Sequence, residues 1–578
     1  MAAAMAVLLG SAATAATGAA GRTSGHADAG IRLGDALAAT PLPHLRAGDL
    51  RSGGRWRAAE RAVLRARAQR GALGTRELMT PVGWFNGDDA AAIGDVTGDR
   101  RDDVLEVRSG SSFRVGVLSG ADGKPVWHSR IHDVIGSAYL RMPTGPGEVI
   151  VLTGSVSDPG ASPVSDAGTA TFTVAARNAR TGKQLWALSI DGVVEFDPVG
   201  GVVASIGEVD GAVARAGAAP LLVLDKFSQQ FGLVENASSI QPMSVDAASG
   251  AVVATAPPVV TDSFGYTTAV GDLNGDGGGD AVVATFGDAA MAQADDLETG
   301  EPIWTVAPAD ALGVSFVEAT PDVDGDRQAD VLLGILGNAG DVVEAVDGSG
   351  NAVWSRPGDF ADPVGDVDGD HRSDSRVVGF RDGGIQYSLV TGTGHTRWTR
   401  TVGVPSGMFV LSFGAGDVDG DGIGDTYVRV ATKGTLEGTK RAVAAAVIDG
   451  RTGQVRKVPD LGWPLGASLD GRGVDFVLSL RSMHAITETA YDGRTGRPLW
   501  HDALRLAGAR LWDQTTGRVD RHGRTGLVEI ATGTDRAVIR AVGGRSGKTL
   551  WSTGYKTQGS GVVIIGGAAV EPPYGIEP

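Results

Sequence analysis

The sequence predicts an all-β protein that forms a single large β-propeller of four-stranded blades. Two recurring phrases predict this fold: an Asp-rich loop that leads into a β-branched run, and a Gly turn that leads into a Trp. The composition agrees, because 88 glycines in 578 residues suit many tight turns and few helices. A chain of this length exceeds one ordinary core, and repeated units avoid that limit by packing against their neighbours.

The Asp-rich phrase is clearest in GDVDGDGIGDTYVRV, residues 416–430. Its loop positions 1, 3, 5 and 9 are Asp417, Asp419, Asp421 and Asp425. Carboxylates at alternating positions of a tight loop can converge on one point, and Ile423 at position 7 can add its carbonyl oxygen. Ca²⁺ takes six to eight oxygen ligands, at about 2.3–2.6 Å, so this spacing predicts a calcium loop.

Four more loops repeat the phrase in register, each ahead of an apolar or β-branched run. Their candidate ligands are Asp95, Thr97, Asp99 and Asp103; Asp272, Asn274, Asp276 and Asp280; Asp322, Asp324, Asp326 and Asp330; and Asp366, Asp368, Asp370 and Asp374. The five loops hold 18 acidic ligands, and five bound Ca²⁺ would bring the formal charge of −17 to about −7. We therefore expect about five structural calcium ions.

These loops do not fit the EF-hand, which needs flanking helices and a Glu at position 12. Position 12 is Leu333, Val377 or Val428, and the residues that follow are typical of a strand. The phrase resembles the FG-GAP/VCBS repeats of integrin-α-like propellers over residues 94–530. That resemblance implies a Ca²⁺ loop between the first two strands of a blade.

The second phrase ends in a tryptophan that we expect to pack between units. It ends at Trp127, Trp186, Trp304, Trp354, Trp398, Trp500 and Trp551, and it lacks the Trp near Gly250 and Gly453. It resembles the PQQ-like propeller repeat of quinoprotein dehydrogenases and their non-enzymatic relatives. The quinoprotein alcohol dehydrogenases carry an adjacent Cys pair, and this chain has no Cys. Quinone binding is therefore not expected.

Loop positions near 94, 141, 207, 271, 321, 365, 416, 468 and 517 predict nine units. Propellers usually have four to eight blades, so we expect seven to nine blades, and the weak unit near 141 or 207 is interpreted as an elaboration. Three loops are interpreted as relics: one with Glu208 and Asp210, one with Asp470 and Asp475, and one with Asp520. Residues 153–170 and 225–243 are predicted to be longer excursions between strands. The first is interpreted as either a recognition loop or a disordered segment. Residues 561–572 could supply a closing strand.

The N-terminal segment predicts export from the cell. Residues 1–20 have the short apolar run and small residues of a signal peptide, and residues 21–78 form a linker with an Arg-rich helix. That helix is either a solvated linker or an arm that docks on the acidic propeller or an anionic envelope polymer. The propeller is expected over 79–572, with a tail at 573–578. No segment has 18 consecutive apolar residues, so we expect no transmembrane span.

No catalytic signature is present: the sequence lacks a G-x-S-x-G elbow, an H-E-x-x-H motif and a P-loop. We expect a secreted or cell-surface, monomeric, calcium-binding propeller that acts as a non-catalytic binding, adhesion or scaffold module. Its partner would be an extracellular protein or polysaccharide, and the acidic charge disfavours nucleic acid. The alternatives are a carbohydrate-active enzyme similar to propeller polysaccharide lyases and, third, a PQQ-like quinoprotein.

Overall fold

The computed structural model describes residues 79–556 apart from short gaps. The gaps are 83–88, 109–112, 132–133, 142–148, 158–167, 197–201, 215–217, 232–235, 262–264, 288–289, 310, 339, 382–383, 406–407, 437, 466, 470–472, 521 and 535. The signal-like segment, the Arg-rich helix and the expected closing strand at 561–572 lie outside the described residues.

The described chain is almost entirely antiparallel β-sheet, with nine four-stranded units that we number as blades 1 to 9. Strand β1 (Met79–Val82) comes first, followed by blade 1: β2 (Asp89–Gly94), β3 (Asp103–Arg108), β4 (Phe113–Leu118) and β5 (Pro125–Ile131). Blades 2 and 3 contain β6 (Val134–Arg141), β7 (Val149–Ser157), β8 (Gly168–Asn178), β9 (Gln184–Phe196), β10 (Val202–Val213), β11 (Leu221–Phe231), β12 (Asn236–Asp246) and β13 (Val252–Thr255), followed by the short β14 (Val259–Thr261).

The remaining six blades are separate four-stranded sheets. Blades 4 and 5 are β15 (Gly265–Ala269), β16 (Ala281–Thr285), β17 (Ala292–Asp295), β18 (Pro302–Val306), β19 (Ala311–Thr320), β20 (Asp330–Gly337), β21 (Val342–Val346) and β22 (Ala352–Pro357). Blades 6 and 7 are β23 (Phe360–Gly365), β24 (Asp374–Arg381), β25 (Gly384–Val390), β26 (Thr396–Gly403), β27 (Phe409–Gly416), β28 (Asp425–Ala431), β29 (Ala444–Ile448) and β30 (Val455–Val458). Blades 8 and 9 are β31 (Trp463–Pro464), β32 (Asp475–Arg481), β33 (Ala485–Asp492), β34 (Pro498–Arg505), β35 (Arg510–Arg518), β36 (Thr525–Thr532), β37 (Arg536–Gly543) and β38 (Thr549–Lys556).

The second strand of a blade is buried on both faces, because a neighbouring blade covers each side. All seven residues of β28 and all five of β16 are buried, which explains their continuous apolar and β-branched runs. The fourth strand β38 instead alternates exposed residues with buried or half-buried ones from Leu550 to Lys556. The first strands of neighbouring blades contact one another, as β2 and β35 do, so they lie nearest the axis of the ring.

Blades 2 and 3 share one ten-stranded sheet, because the ends of β9 and β10 pair at Val194–Phe196 and Val202–Ala204. Both units therefore supply four strands, and the prediction that one of them is an elaboration is wrong. The excursion expected at 225–243 is largely β11 and β12, whereas most of the one expected at 153–170 lies outside the described residues. Strand β1 adds to the free edge of β6.

The prediction of a relic loop at Glu208 and Asp210 is also wrong. Both residues lie within β10, where a register shift between Val209 and Gly211 leaves Asp210 unpaired with β11. A carboxylate pair two residues apart occurs in strands as well as in loops, and here the backbone pairing continues on both sides of the bulge.

Each docking Trp packs against the turn glycine of the next blade. A Cβ on Gly182, Gly250, Gly350, Gly394, Gly453, Gly547 or Gly123 would collide with the Trp of the preceding blade, and all seven have positive φ. The indole Nε1 often donates to a carbonyl oxygen of the same turn, as Trp186 does to Ala247 at 2.9 Å and Trp398 does to Gly450 at 3.2 Å. In blade 7 Arg456 replaces the Trp and donates to the carbonyl oxygens of Arg494 and Gly493.

The ring closes by direct packing of blade 9 on blade 1. Trp551 donates from Nε1 to the carbonyl oxygen of Gly120 at 3.0 Å, as the other docking Trp residues do along the chain. Val104 and Leu118 of blade 1 share a buried cluster with Val528 and Ile539 of blade 9. The only helix among the described residues, α1 (Lys433–Leu436), has four residues, and none there is long and apolar enough to cross a membrane.

Candidate metal centres

The five Asp-rich loops adopt one shared backbone conformation between the first and second strands of their blades. The position 1 carboxylate accepts backbone N–H groups from inside its own loop: Asp417 accepts from Gly420 at 2.6 Å, Asp421 at 3.0 Å and Gly422 at 2.9 Å. Position 4 is a glycine with positive φ in all five loops, for example Gly420 at 89°. The hydrogen bonds to its first Asp therefore hold the loop in this conformation.

Position 6 is also left-handed in every loop. It is Gly277 or Gly422 in two loops, but Arg100, Arg327 and His371 in the other three, with φ of 69°, 76° and 68°. A non-Gly residue in this region is uncommon and costs backbone energy. The loop conformation is thus kept in three blades where the side chain opposes it.

The position 9 carboxylate is buried at the start of the second strand. Asp425 is 2% exposed and accepts from Val418 N at 2.9 Å and Gly450 N at 2.8 Å. Asp374 is held in the same way by Val367 and Gly392. In Asp330, which is 0% exposed, Oδ2 accepts from Val323 N at 2.6 Å, while the buried Oδ1 has no hydrogen-bond partner.

Three loops bring three carboxylates together, with one oxygen from each within 4.8 Å of the others. We call them the acidic clusters: Asp322, Asp324 and Asp330; Asp366, Asp368 and Asp374; and Asp417, Asp419 and Asp425. They contain positions 1, 3 and 9 of the loop. Their oxygen atoms belong to carboxylates, which are the ligands that Ca²⁺ prefers.

The other two loops do not form such a cluster within the part of the chain that the structure describes. Their position 3 residues are Thr97 and Asn274, so each lacks one of the three carboxylates. The Thr97 hydroxyl donates to Asp103 Oδ1 at 3.2 Å, and Asn274 Nδ2 donates to Asp276 Oδ2 at 3.4 Å. In blade 4 the buried Oδ1 of Asp280 has no hydrogen-bond partner, as in Asp330.

The position 5 carboxylates lie outside the clusters, although the sequence predicted them as ligands. Asp421 accepts from Ile423 N at 2.9 Å and from Arg451 Nε at 2.7 Å. Asp99, Asp276, Asp326 and Asp370 likewise accept the N–H two residues ahead. This hydrogen bond turns the carboxylate toward its own backbone.

Burial raises the pKa of the position 9 carboxyl groups, and the neighbouring carboxylates raise it further. The pKa is about 7 for Asp280, Asp330 and Asp425 and about 6 for Asp374. In each case loss of hydration is the largest cause, and backbone N–H donors partly oppose it. A bound cation would offset this unfavourable burial of negative charge.

A further acidic position was missed by the sequence analysis. It is the first residue of the turn between the third and fourth strands, and its charge raises the pKa of loop carboxyl groups in the same blade. The charge of Asp449 raises the pKa of Asp425 and Asp419. In the same way Asp347 raises the pKa of Asp324, and Asp296 raises that of Asp280. The Asp at the start of the turn phrase was a visible signal of this proximity.

Neighbouring loops are joined by backbone hydrogen bonds. Position 8 of one loop donates to the carbonyl oxygen of position 1 in the preceding blade, as Ala329 does to Asp272 at 2.9 Å and Ser373 does to Asp322 at 2.6 Å. Arg451 of blade 7 also donates from its guanidinium to the carbonyl oxygen of Val367 in blade 6. The loops therefore form a connected rim on one face of the ring.

Two relic loops keep part of the pattern. In blade 8, Asp475 accepts from Leu469 N at 2.6 Å, as a position 9 residue does, while Asp470 lies outside the described residues. In blade 9, Asp520 occupies position 3 and Arg518 occupies position 1. Neither loop belongs to an acidic cluster among the described residues.

Buried ion pairs between blades were not predicted. Arg540 contacts Glu488, Glu529 and Asp502 between blades 8 and 9, and the side chains of Arg540, Glu488 and Glu529 are at most 3% exposed. Burial and the neighbouring Glu529 raise the pKa of Glu488. Because these groups are covered by both blades, their arrangement serves packing between the blades.

The fold and its rim of acidic loops define a β-propeller with candidate cation sites. A scan of protein-family models gives no match, and a search of curated proteins gives none either. The similarity to FG-GAP/VCBS repeats therefore stays a prediction.

Solved structures similar to the chain include BamB from Moraxella catarrhalis, at 16% identity, with 61% of this chain and 88% of that chain covered and a TM-score of 0.30. TolB from Acinetobacter baumannii has 13% identity, with 62% of this chain and 79% of that chain covered and a TM-score of 0.24. The biofilm matrix protein Bap1 of V. cholerae has 13% identity, 82% and 81% coverage and a TM-score of 0.18. At these values the propeller assignment depends on the sheet topology of the chain itself.

Proposed function

We propose that this chain is a secreted, calcium-binding β-propeller of the FG-GAP/VCBS type that acts as a non-catalytic binding or scaffold module. The observation that carries the proposal is the acidic cluster of blade 5, where Asp322, Asp324 and Asp330 converge. The buried Oδ1 of Asp330 has no hydrogen-bond partner there, and an unpaired buried carboxylate oxygen is unfavourable. A cation in the cluster would supply the missing partner.

Calcium fits these clusters better than a transition metal does. The donors are carboxylate oxygens without Cys or His, and hard cations prefer such ligands. Asp322, Asp324 and Asp330 would hold the ion in blade 5, and the corresponding residues would do so in blades 6 and 7. The ion would neutralise carboxylates that repel one another, so binding energy would become folding energy.

A binding role agrees with the character of the rim. The loops and turns on this face are short and anchored by hydrogen bonds, so the face would present fixed groups to a partner. Asp280, Asp330 and Asp425, whose pKa is raised to about 7, lie in the acidic loops, where they would serve metal binding. The partner class is an extracellular protein or polysaccharide.

The test is thermal unfolding of the full chain with calcium and with EGTA, together with a count of bound calcium by mass spectrometry. We expect at least three bound ions, one for each acidic cluster, and a clear loss of stability on chelation. Absence of bound calcium and of a chelator effect would refute the metal assignment. Release of unsaturated uronates from acidic polysaccharides would favour the lyase alternative over a non-catalytic role.

A further inference from the structure

The loop of blade 9 keeps the fold of the acidic loops but carries basic residues. Arg518 replaces the position 1 Asp, His522 the position 5 Asp and Gly526 the position 9 Asp. Asp520 closes the loop instead, because its Oδ1 accepts from His522 N and Arg524 N, both at 2.8 Å. Gly523 at position 6 retains the left-handed conformation, with φ of 66°. The loop is therefore formed without a cluster of carboxylates.

The fold brings basic residues from three segments to this point. A Cβ on Gly544 would collide with the carbonyl oxygen of Thr525, so the turn that carries Arg545 lies against the loop that carries Arg524. A Cβ on Gly523 would lie 3.9 Å from the carbonyl oxygen of Arg100, so the blade 1 loop is next to the blade 9 loop on its other side. Arg100, Arg524 and Arg545 are all exposed residues.

We propose that this basic patch, defined as Arg100, His522, Arg524, Arg545 and Lys548, binds an anionic polysaccharide. The proposal rests on the proposed function as a binding module and names its partner class. All five residues are exposed on the face that also carries the acidic clusters, since loops between strands 1 and 2 and turns between strands 3 and 4 share one edge of each blade.

An extended acidic chain suits this face better than a compact anion does. The basic residues are spread over two blades, and a polymer with regularly repeated carboxylates can contact several of them at once. Carboxylates also bind calcium, so a uronate chain can continue toward cation-loaded clusters on the same rim. Nucleic acid is less favoured, because the chain as a whole has a formal charge of −17.

The chain contains a matched control for the patch. The turn of blade 9 reads Arg545-Ser-Gly-Lys548, and the turn of blade 2 reads Arg180-Thr-Gly-Lys183 at the equivalent position. All four basic residues are exposed, so replacing either pair removes the same charge from the same kind of turn. The two double variants differ in whether the replaced pair belongs to the basic patch.

The experiment measures binding of the calcium-loaded full chain to immobilised polygalacturonate, with neutral dextran as the blank. We expect Arg545→Ser with Lys548→Ser to weaken binding about tenfold, equal to about 1.4 kcal/mol, and Arg180→Ser with Lys183→Ser to change it less than about twofold. Arg524→Ser, as a second variant, should weaken it as well. Melting temperatures check that the variants fold.

Several results would overturn the proposal: no binding by the parent, equal loss in both double variants, or tighter binding of a DNA duplex than of polygalacturonate. Calcium content is measured on the same samples. If the chain contains calcium but does not bind polygalacturonate, only the proposed role of the basic patch is refuted. If the chain contains no calcium but binds polygalacturonate through the patch, only the calcium assignment is refuted.

Discussion

Arg518 of the last blade and Asp102 of the first blade, 416 residues apart, are joined by a set of reciprocal contacts. Arg518 N donates to Asp102 Oδ2 at 2.7 Å, and Arg518 Nε donates to Oδ1 at 3.0 Å. Asp102 N donates back to the carbonyl oxygen of Arg518 at 2.9 Å. That last bond is the same loop-to-loop bond that joins Ala329 to Asp272, so the seam of the ring reuses the junction found along the chain.

Removal of the Arg518 side chain should weaken the seam. Asp102 is 7% exposed and would lose its guanidinium partner, so we expect Arg518→Ala to lower the free energy of unfolding by about 1 kcal/mol. Urea denaturation measures the change, with Arg180→Ala as a surface control. A variant as stable as the parent would mean that the ion pair adds nothing to the backbone bond and the Trp551 contact.

Replacement of a cluster carboxylate should remove one calcium ion. Asp419 belongs to the blade 7 cluster, whereas Asp421 bonds Ile423 N and Arg451 instead. We therefore expect Asp419→Ala to bind one ion fewer and to melt at a lower temperature in calcium, and Asp421→Ala to have a smaller effect on the ion count. Equal ion loss in both variants would show that position 5 is a ligand after all.

The metal-free protein should lose stability as the pH rises. The folded-state pKa values of Asp330 and Asp425 are about 7, well above the ordinary value for Asp. Because the folded state then holds protons that the unfolded state releases near pH 4, this stability is present below about pH 4 and is lost as the pH rises through about 7. The decline has an upper limit of about 1.4 kcal/mol per pH unit for each group.

Melting temperatures in EGTA between pH 5 and pH 8 measure this decline. Calcium should reduce it, because a cation stabilises the deprotonated carboxylates. Asp330→Asn with Asp425→Asn should flatten the EGTA profile. A metal-free profile that rises with pH would contradict the raised pKa values.

Left-handed backbone at position 6 predicts opposite effects for two substitutions. His371 has φ of 68° and a side chain that is 96% exposed, so His371→Gly should raise stability by about 1 kcal/mol. Gly422 has φ of 87°, and a Cβ added there would meet no heavy atom within 4 Å, so Gly422→Ala should cost about 1 kcal/mol through its backbone alone. Denaturant midpoints in EGTA separate this backbone effect from calcium binding.

The local parts of the fold were predictable from the sequence, because each depends on residues close along the chain. Alternating Asp residues identified the five loops, and the turn glycines Gly123 and Gly182 have the positive φ that the turn phrase required. The buried second strands followed from apolar runs such as the one in β20.

Features that depend on side-chain direction or on pairing with another segment were not predictable. The position 5 carboxylates lie outside the clusters because of side-chain direction, which the alternating spacing does not encode. Thr97 and Asn274 were counted as ligands because each carries a side-chain oxygen, although neither supplies a third carboxylate. Arg456 stands in a Trp position and donates to the next turn from its guanidinium instead of an indole. The turn phrase does not encode this replacement. Asp210 lies in a strand because β10 pairs with β11 through a bulge, and pairing partners are not visible in one strand alone.

The junction between blades 9 and 1 has a consequence for where the chain could begin and end. Blade 1 and blade 9 each take all four strands from consecutive residues, and Trp551 docks on Gly120 as the other docking Trp residues dock on their successors. The ring therefore does not require the chain ends to lie between blades 9 and 1, because this junction is built in the same way as those that the other docking Trp residues make. A circular permutant that joins the old ends and opens the chain between blades 5 and 6 should assemble the same ring.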